Sequence, residues 1–282
     1  MTYKFLSYIF KENSIRLKLG YVFCVITVVA TVFICSLLEI YPYHPEEMNL
    51  NAILSPPFTQ GHFLGTDYLG RDILSRLMYG TQAYVLPGLL AVLIAIIFGS
   101  LLGVMSTFSQ RRVANFIKFS NQLILSMPRM VLLLLFIAIF EADIYVIMVV
   151  IGISNIPSIA QLIAGRIDLL KSHNFIQSSI ATGIKPGKII FKHILWYNCR
   201  IILVNQTALA MAEAVLMETS LSYLGFGVQE PIASWGNMVQ AGSNYFLQGQ
   251  FWSSTLPALA IMLVLSAFYL LSHTVNQVLE QR

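Results

Sequence analysis

Two ionisable residues, Arg129 and Glu213, lie within long apolar runs of the sequence. A charged side chain at the centre of a bilayer costs about 2.5 to 3.5 kcal/mol on insertion scales, so such residues usually pair with each other or line an aqueous path. Because both lie near the middle of their runs, we expect them at similar depth and facing the protein interior. Two alternatives remain open. They form an ion pair with a purely structural role, or they line a substrate path.

The other polar residues form no recognised catalytic or nucleotide-binding pattern. The nearest approach to the phosphate-binding motif G-x-x-x-x-G-K-[ST] begins at Gly183 and ends at Lys188; it is one residue short and lacks the hydroxyl group that holds magnesium. Nucleophile-elbow, metalloprotease and paired-cysteine patterns are also missing from the sequence. We therefore expect a chain that is not an enzyme, does not hydrolyse ATP and binds no cofactor.

A metal site is a weaker candidate. His44 and His62, together with Glu46, Glu47 and Asp67, fall in one polar segment and could meet a metal ion. We interpret them as solvated loop residues and predict no metal site. The three cysteines give no even-numbered framework for disulfides, so we interpret them as structural residues.

The composition places these residues in a membrane protein. Of 282 residues, 57% are hydrophobic and 11% are charged, and the mean hydropathy is +0.73, which leaves too few polar residues to cover a soluble globule. Runs of about twenty apolar residues cross a bilayer as helices. The sequence contains six such runs, at 19–38, 84–108, 119–140, 144–163, 200–223 and 254–273.

The basic residues predict the orientation of these six spans. All lysines and arginines except Arg71, Arg76 and Arg129 fall in segments on one side, and cytoplasmic loops collect basic residues. We therefore predict an all-α, multi-pass protein of the cytoplasmic membrane with both termini in the cytoplasm. Pro128 and Pro157 lie within spans and are expected to bend helices around a central cavity. Gly99 and Gly103 have the spacing that lets another helix approach closely.

Two glycine-containing segments are predicted to lie outside the membrane. The first, at 62–80, has a tight turn, an aspartate that could cap a helix (Asp67 or Asp72) and then a short amphipathic helix. The second, at 218–238, ends the fifth helix in a compact loop. Their motif residues are Gly65, Asp67, Gly70, Arg71 and Asp72 in the first segment and Gly225, Gly227 and Trp235 in the second.

Both segments resemble signatures of the dipeptide, oligopeptide and nickel permease family of ABC importers. The first is similar to its Gly-Thr-Asp-x-x-Gly-Arg-Asp motif. The second is similar to a Leu-Ser-Phe-Leu-Gly-x-Gly motif followed by proline and Ser-Trp-Gly, and Glu218 matches a family position that we interpret as a structural contact. Gln82 departs from the arginine that this family often has after the first motif.

A third segment, at 175–198, is predicted to be a cytoplasmic helix-turn-helix elbow. Small residues occupy its first helix, Lys185, Pro186 and Gly187 break the chain, and a second short helix at 188–195 returns to the membrane. The elbow resembles the coupling loop with which permeases of this family dock on an ATPase subunit. The resemblance assigns ATPase coupling to Gln177, Ser178, Ser179, Ala181, Gly183 and His193.

The resemblance implies the fold of a type I ABC importer transmembrane domain and a set of partners. The chain would comprise an N-terminal region with the first span and an external loop (1–77), the transmembrane domain (78–275) with the coupling loop (172–198), and a cytoplasmic tail (276–282). Its partners would be a second homologous permease, two ATPases that use ATP and magnesium, and an external solute-binding protein. No nucleic-acid partner is expected. The substrate would be a peptide or a nickel chelate.

Two functions from other classes are weaker. An ion-coupled secondary transporter would use Arg129 and Glu213 as coupling residues, but it leaves the elbow and both external motifs unexplained. A membrane-embedded enzyme would need catalytic residues within the spans, and the sequence offers no convincing set.

Overall fold

The computed structural model describes residues 2–59, 61–140, 143–171, 176, 187 and 189–279, and these residues are predominantly helical. The α-helices are α1 (Thr2–Leu37), α2 (Ile73–Gly80), α3 (Val85–Phe108), α4 (Arg111–Ser126), α5 (Arg129–Ile139), α6 (Ile144–Lys171), α7 (Arg200–Tyr223), α8 (Trp235–Ser243) and α9 (Trp252–Leu279). A π-helical segment, Ile189–Cys199, leads directly into α7.

The predicted all-α fold with six spans is confirmed. Among the described residues, five helical stretches are long and apolar enough to cross a membrane, and the bent α4–α5 pair makes a sixth when it is taken as one span. The first predicted span, 19–38, corresponds to the second half of α1. The predicted span 84–108 corresponds to α3, to which α2 is joined by the short 3-10 helix Thr81–Ala83.

The predicted bend at Pro128 is present, and one detail of the predicted helices, in the elbow, was wrong. The third span is not one helix, because α4 and α5 meet at an angle of 91° across Met127 and Pro128. Pro128 has no backbone N–H to continue the ladder of α4, and the residue before a proline avoids the helical region, so the chain turns here. The second arm of the elbow is also not a separate short helix, since the π-helical segment and α7 form one stretch, Ile189–Tyr223. In contrast, α6 continues through Pro157.

The centre of the bundle is the contact between α3 and α6. Gly99 faces Ile159, and Gly103 faces Ile163 and the carbonyl oxygen of Ala160. The absence of a side chain at both glycines lets the two backbones approach closely, which confirms the small-residue interpretation of this pair. Close packing is the main source of helix association in lipid, so this contact fixes the position of α6, the helix that carries Ser158.

We predict that added methyl groups at this contact destabilise the protein. A Cβ atom at Gly99 would lie 2.7 Å from Ile159 Cβ, and one at Gly103 would lie 2.8 Å from Ile163 Cβ. Gly99→Ala and Gly103→Ala should each cost about 1–3 kcal/mol, the usual penalty for overpacking, and lower the Tm of the purified protein in detergent. Gly165→Ala is the matched control on α6, because a Cβ atom there meets nothing within 4 Å. Equal Tm values for Gly103→Ala and Gly165→Ala would contradict the proposed packing.

Candidate functional site

Most of the predicted coupling residues cannot be placed. Gln177, Ser178, Ser179, Ala181 and Gly183 lie outside the described residues. His193 lies in the π-helical segment, where it is half-buried and its carbonyl oxygen accepts a hydrogen bond from Asn198 Nδ2 at 2.6 Å.

The base of the elbow is anchored by apolar contacts. Ile176, Ile189 and Ile194 are buried in one cluster with Leu170 at the end of α6. This cluster ties the described residues of the elbow to α6.

The two charged residues in the spans are brought together. Arg129 Nη1 on α5 forms an ion pair with Glu213 Oε2 on α7, and Arg129 Nη2 donates a hydrogen bond of 3.1 Å to Ser158 Oγ on α6. Three helices therefore meet at one guanidinium group. The bend at Pro128 makes Arg129 the first residue of α5 and directs it toward α6 and α7.

This charged pair lies near the middle of the membrane. A rise of 1.5 Å per residue places Glu213 about 20 Å from the start of α7 at Arg200 and about 15 Å from its end at Tyr223. The Arg129 and Glu213 side chains are nevertheless 28% and 30% exposed. Ionised groups do not face lipid at such depth, so the surface on which they open faces water or another protein chain.

Further polar side chains on α7 lie along the same surface. Gln206, Glu213 and Ser220 are spaced by seven residues, which is nearly two helical turns, so they lie on one face and about 10 Å apart along the axis. All three side chains are neither fully buried nor fully exposed. The result is a polar stripe, Gln206–Glu213–Ser220, along the length of a span.

A second cluster of charges lies outside the spans and joins the two glycine-containing segments. The Arg71 guanidinium is 1% exposed; its Nε donates to Asp67 Oδ2 at 2.7 Å and its Nη2 donates to Glu230 Oε1 at 3.0 Å. Tyr68 donates a hydrogen bond of 2.7 Å to Glu230 Oε2, and Arg76 Nη1 donates to the Pro231 carbonyl oxygen at 3.3 Å. We call this group of residues 67–76 and 230–231 the external cap.

The electrostatics of the external cap maintain its hydrogen bonds at neutral pH. Burial alone would raise the pKa of the Glu230 carboxyl group, but the Tyr68 hydroxyl group and the Arg71 guanidinium outweigh burial and hold that pKa below its usual range. Burial, followed by the hydrogen bond to Glu230, raises the pKa of Tyr68 to about 12. Glu230 is therefore an ionised acceptor and Tyr68 a protonated donor.

Trp235 attaches this cap to the membrane helices. Its indole Nε1 donates to the Leu77 carbonyl oxygen at 3.0 Å, and its backbone N–H donates to the Tyr84 hydroxyl oxygen at 2.8 Å. The buried carboxyl group of Glu218 accepts a hydrogen bond from the Ser222 hydroxyl group, whose oxygen also accepts from the backbone N–H of Val228. Glu218 therefore makes structural contacts, as predicted from the sequence.

The motif glycines permit turns in the two glycine-containing segments. Gly65, Gly70 and Gly225 have φ values of +79°, +75° and +81°, which favour glycine. Gly227 has a different role, because a Cβ atom there would lie 2.2 Å from Ser222 Oγ.

The structure assigns structural roles to other predicted residues of this region. Of the two candidate caps, Asp72 is the one that caps α2, accepting hydrogen bonds from the backbone N–H of Ser75 and from the buried His62 ring. The part of the chain that the structure describes contains no group of three histidine, cysteine or acidic residues that could hold a metal ion. Gln82 donates hydrogen bonds to Ser36 Oγ and to the Ser36 carbonyl oxygen, which link it to α1.

Comparison with known proteins decides which family has this arrangement. The family model for the binding-protein-dependent transport system inner membrane component matches residues 95–282. The chain belongs to this family. It is therefore a permease component of an ABC transporter in the cytoplasmic membrane and has the transmembrane domain of a type I importer. It is not itself an enzyme and works with ATPase and binding-protein partners.

Curated relatives share most of the chain. The probable D,D-dipeptide transport system permease protein DdpC of Escherichia coli is 33% identical over 240 residues, which cover 85% of this chain and 80% of the relative. The dipeptide transport system permease protein DppC of Alkalihalophilus pseudofirmus is 32% identical over 84% of this chain and 77% of its own length. The dipeptide transport system permease protein DppC of Haemophilus influenzae is 30% identical over 97% of this chain and 92% of its own length.

Several residues of these clusters were not predicted from the sequence, among them Glu230, Ser158 and Gln206. Glu230 balances the external charges, and the presence of two arginines in one external segment, Arg71 and Arg76, was a signal that acidic partners were needed. Ser158 and Gln206 gave a weaker signal, since serine and glutamine are not rare enough within spans to stand out.

We predict that Arg71 is the most sensitive residue of the external cap. Arg71→Met removes the buried guanidinium from Asp67 and Glu230, and breaking a buried charge pair typically costs roughly 3–5 kcal/mol. The Tm of the purified permease should fall by several degrees. Arg112→Met, at an exposed arginine of α4, is the matched control and should leave the Tm unchanged. An Arg71→Met Tm equal to that of the control would show that the cap does not depend on this residue.

Proposed function

We propose that the chain is one of two homologous permease subunits of an ATP-driven importer for short peptides. The observation that carries the proposal is the ion pair of Arg129 and Glu213, which opens on one surface of the bundle at mid-membrane depth. A second subunit facing this surface would enclose an aqueous path lined by both charges. The peptide names of the relatives reported above favour a peptide over a nickel chelate as the substrate.

The elbow at 172–198 is the proposed contact with the ATPases. Two ATPase subunits, which bind ATP and magnesium, would each dock on the elbow of one permease subunit. Gln177, Ser178, Ser179, Ala181, Gly183 and His193 are the proposed contact residues in this chain. Closure of the ATPase pair would move the elbow, and the continuous helical stretch Ile189–Tyr223 supports this proposal because it would carry the motion as a rigid body to Glu213.

The external cap is the proposed platform for the solute-binding protein. It fixes two distant parts of the chain, Arg71 and Glu230, against each other, and Trp235 attaches it to the spans. A rigid outer surface of this kind supports docking of a soluble partner, since little conformational freedom is lost when the partner binds.

Membership of the family favours this mechanism over an ion-coupled secondary transporter. We expect uptake of a labelled dipeptide by proteoliposomes that hold the permease with the subunits encoded beside it. Uptake should require ATP inside and binding protein outside, and it should continue when the proton gradient is collapsed. Uptake without ATP that stops when the proton gradient collapses would overturn the proposal.

The same preparation tests the coupling site. Gly183→Leu should abolish both uptake and co-purification of the ATPase subunits, because the small surface that docks in the ATPase groove is lost. Gly187→Leu is the matched control in the elbow, since a Cβ atom at Gly187 meets nothing within 4 Å. Retention of the ATPase by Gly183→Leu, at the level of the control, would contradict the assignment.

A further inference from the structure

The residues around the charged pair define a site with one positive and one negative group. Arg129 and Glu213 lie on different helices, α5 and α7, and both side chains are about one-third exposed on the same surface. Neither charge is sealed in the core, so a molecule in the proposed path can reach both. Ser158 Oγ accepts from Arg129 Nη2, which holds the guanidinium in place without neutralising it.

We propose that Arg129 and Glu213 exchange their mutual ion pair for the two charged termini of a zwitterionic peptide as it passes through the membrane. This inference rests on the proposed function. Arg129 binds the carboxylate of the peptide, and Glu213 binds its ammonium group. Guanidinium and carboxylate are well matched in geometry, since two parallel hydrogen bonds form between them. The position of Arg129 at the start of α5 adds to the positive potential, because the helix dipole favours an anion there.

The balance of charge explains why a zwitterion suits this site. An unpaired charge at hydrocarbon depth is costly, whereas a paired charge is tolerated. When a zwitterion enters, one ion pair is replaced by two, and each charge retains a partner of opposite sign. A peptide with one blocked terminus leaves Arg129 or Glu213 unpaired, so its passage is disfavoured.

The neighbouring polar groups fit a peptide backbone. Gln206 and Ser220 lie about 10 Å from Glu213 along the axis of α7, one toward each membrane surface. Their side chains offer hydrogen-bonding groups to the amides of a peptide before and after it reaches the charged pair. The inferred site therefore distinguishes substrates by their termini.

Three peptides test this inference in the complete importer in proteoliposomes, with the binding protein present. They are a free dipeptide, its N-acetyl form, which lacks the ammonium group, and its C-terminal amide, which lacks the carboxylate. The preference of the binding protein is the same in every reaction and cancels when a variant is compared with the wild type. Glu213→Gln should lower the ratio of free-dipeptide uptake to N-acetyl-dipeptide uptake roughly tenfold. Arg129→Gln should lower the ratio of free-dipeptide uptake to dipeptide-amide uptake by a similar factor. A change of roughly tenfold is expected for the loss of one charge-assisted hydrogen bond.

Two further variants keep the test decisive. Ser158→Ala retains both charges, so it can be tested even if the charge variants fail to assemble. It should raise the KM of the two peptides that carry a carboxylate more than the KM of the amide. Asp168→Asn is the matched control, because Asp168 forms an exposed ion pair with Lys171 on α6, and it should leave all ratios unchanged.

The outcomes separate this inference from the proposed function. Equal changes in the uptake of all three peptides for each variant, or a shift of the ratios by Asp168→Asn, would overturn the site and leave a structural ion pair. Failure of the wild-type importer to take up any of the three peptides in the presence of ATP would instead overturn the proposed peptide substrate.

Discussion

The low dielectric of the membrane is the constraint on which the arrangement of this permease depends. A guanidinium and a carboxylate at mid-membrane depth are stable only when they are paired or hydrated, and Arg129 and Glu213 are both paired and partly open. Their meeting requires α4 and α5 to turn sharply at Pro128 and requires α6 to supply Ser158. Close packing of α3 on α6, through Gly99 and Gly103, fixes the helix that carries Ser158.

The same physical rule operates in the external cap, with the opposite outcome. Arg71 is as fully buried as an apolar core residue, and it is paired with Asp67 and with Glu230, whose side chain is 35% exposed. The buried Arg71 guanidinium connects two distant segments of the chain, whereas the Arg129 guanidinium is partly exposed within a span. The two sets of charges therefore differ chiefly in the exposure of the arginine, which is 1% for Arg71 and 28% for Arg129.

Local pattern was sufficient to predict the features that depend on few residues. The six apolar runs, the close approach at Gly99 and Gly103 and the similar depth of Arg129 and Glu213 all follow from spacing and residue type, whereas the choice of Asp72 over Asp67 as the helix cap needed the structure. The 91° bend was foreseen only as a kink, because hydropathy does not report the angle at which a chain leaves Pro128. The contact of Arg71 with Glu230 joins residues that are distant in sequence, and no periodicity reveals such a pair. The domain boundaries and the coupling residues at 177–183 stay predictions.

The most direct test of this account is the water accessibility of the α7 surface that carries Glu213. In a background without Cys24, Cys35 and Cys199, single cysteines at Gln206, Leu209 and Leu216 would be treated with a charged thiol reagent in the assembled transporter in nanodiscs. We expect labelling at these positions and little labelling of a cysteine at buried Val215 or at Phe23, an apolar residue of the α1 span that is 70% exposed in this chain. Labelling of the three positions no faster than that of Val215 or Phe23 would contradict an aqueous path along this surface.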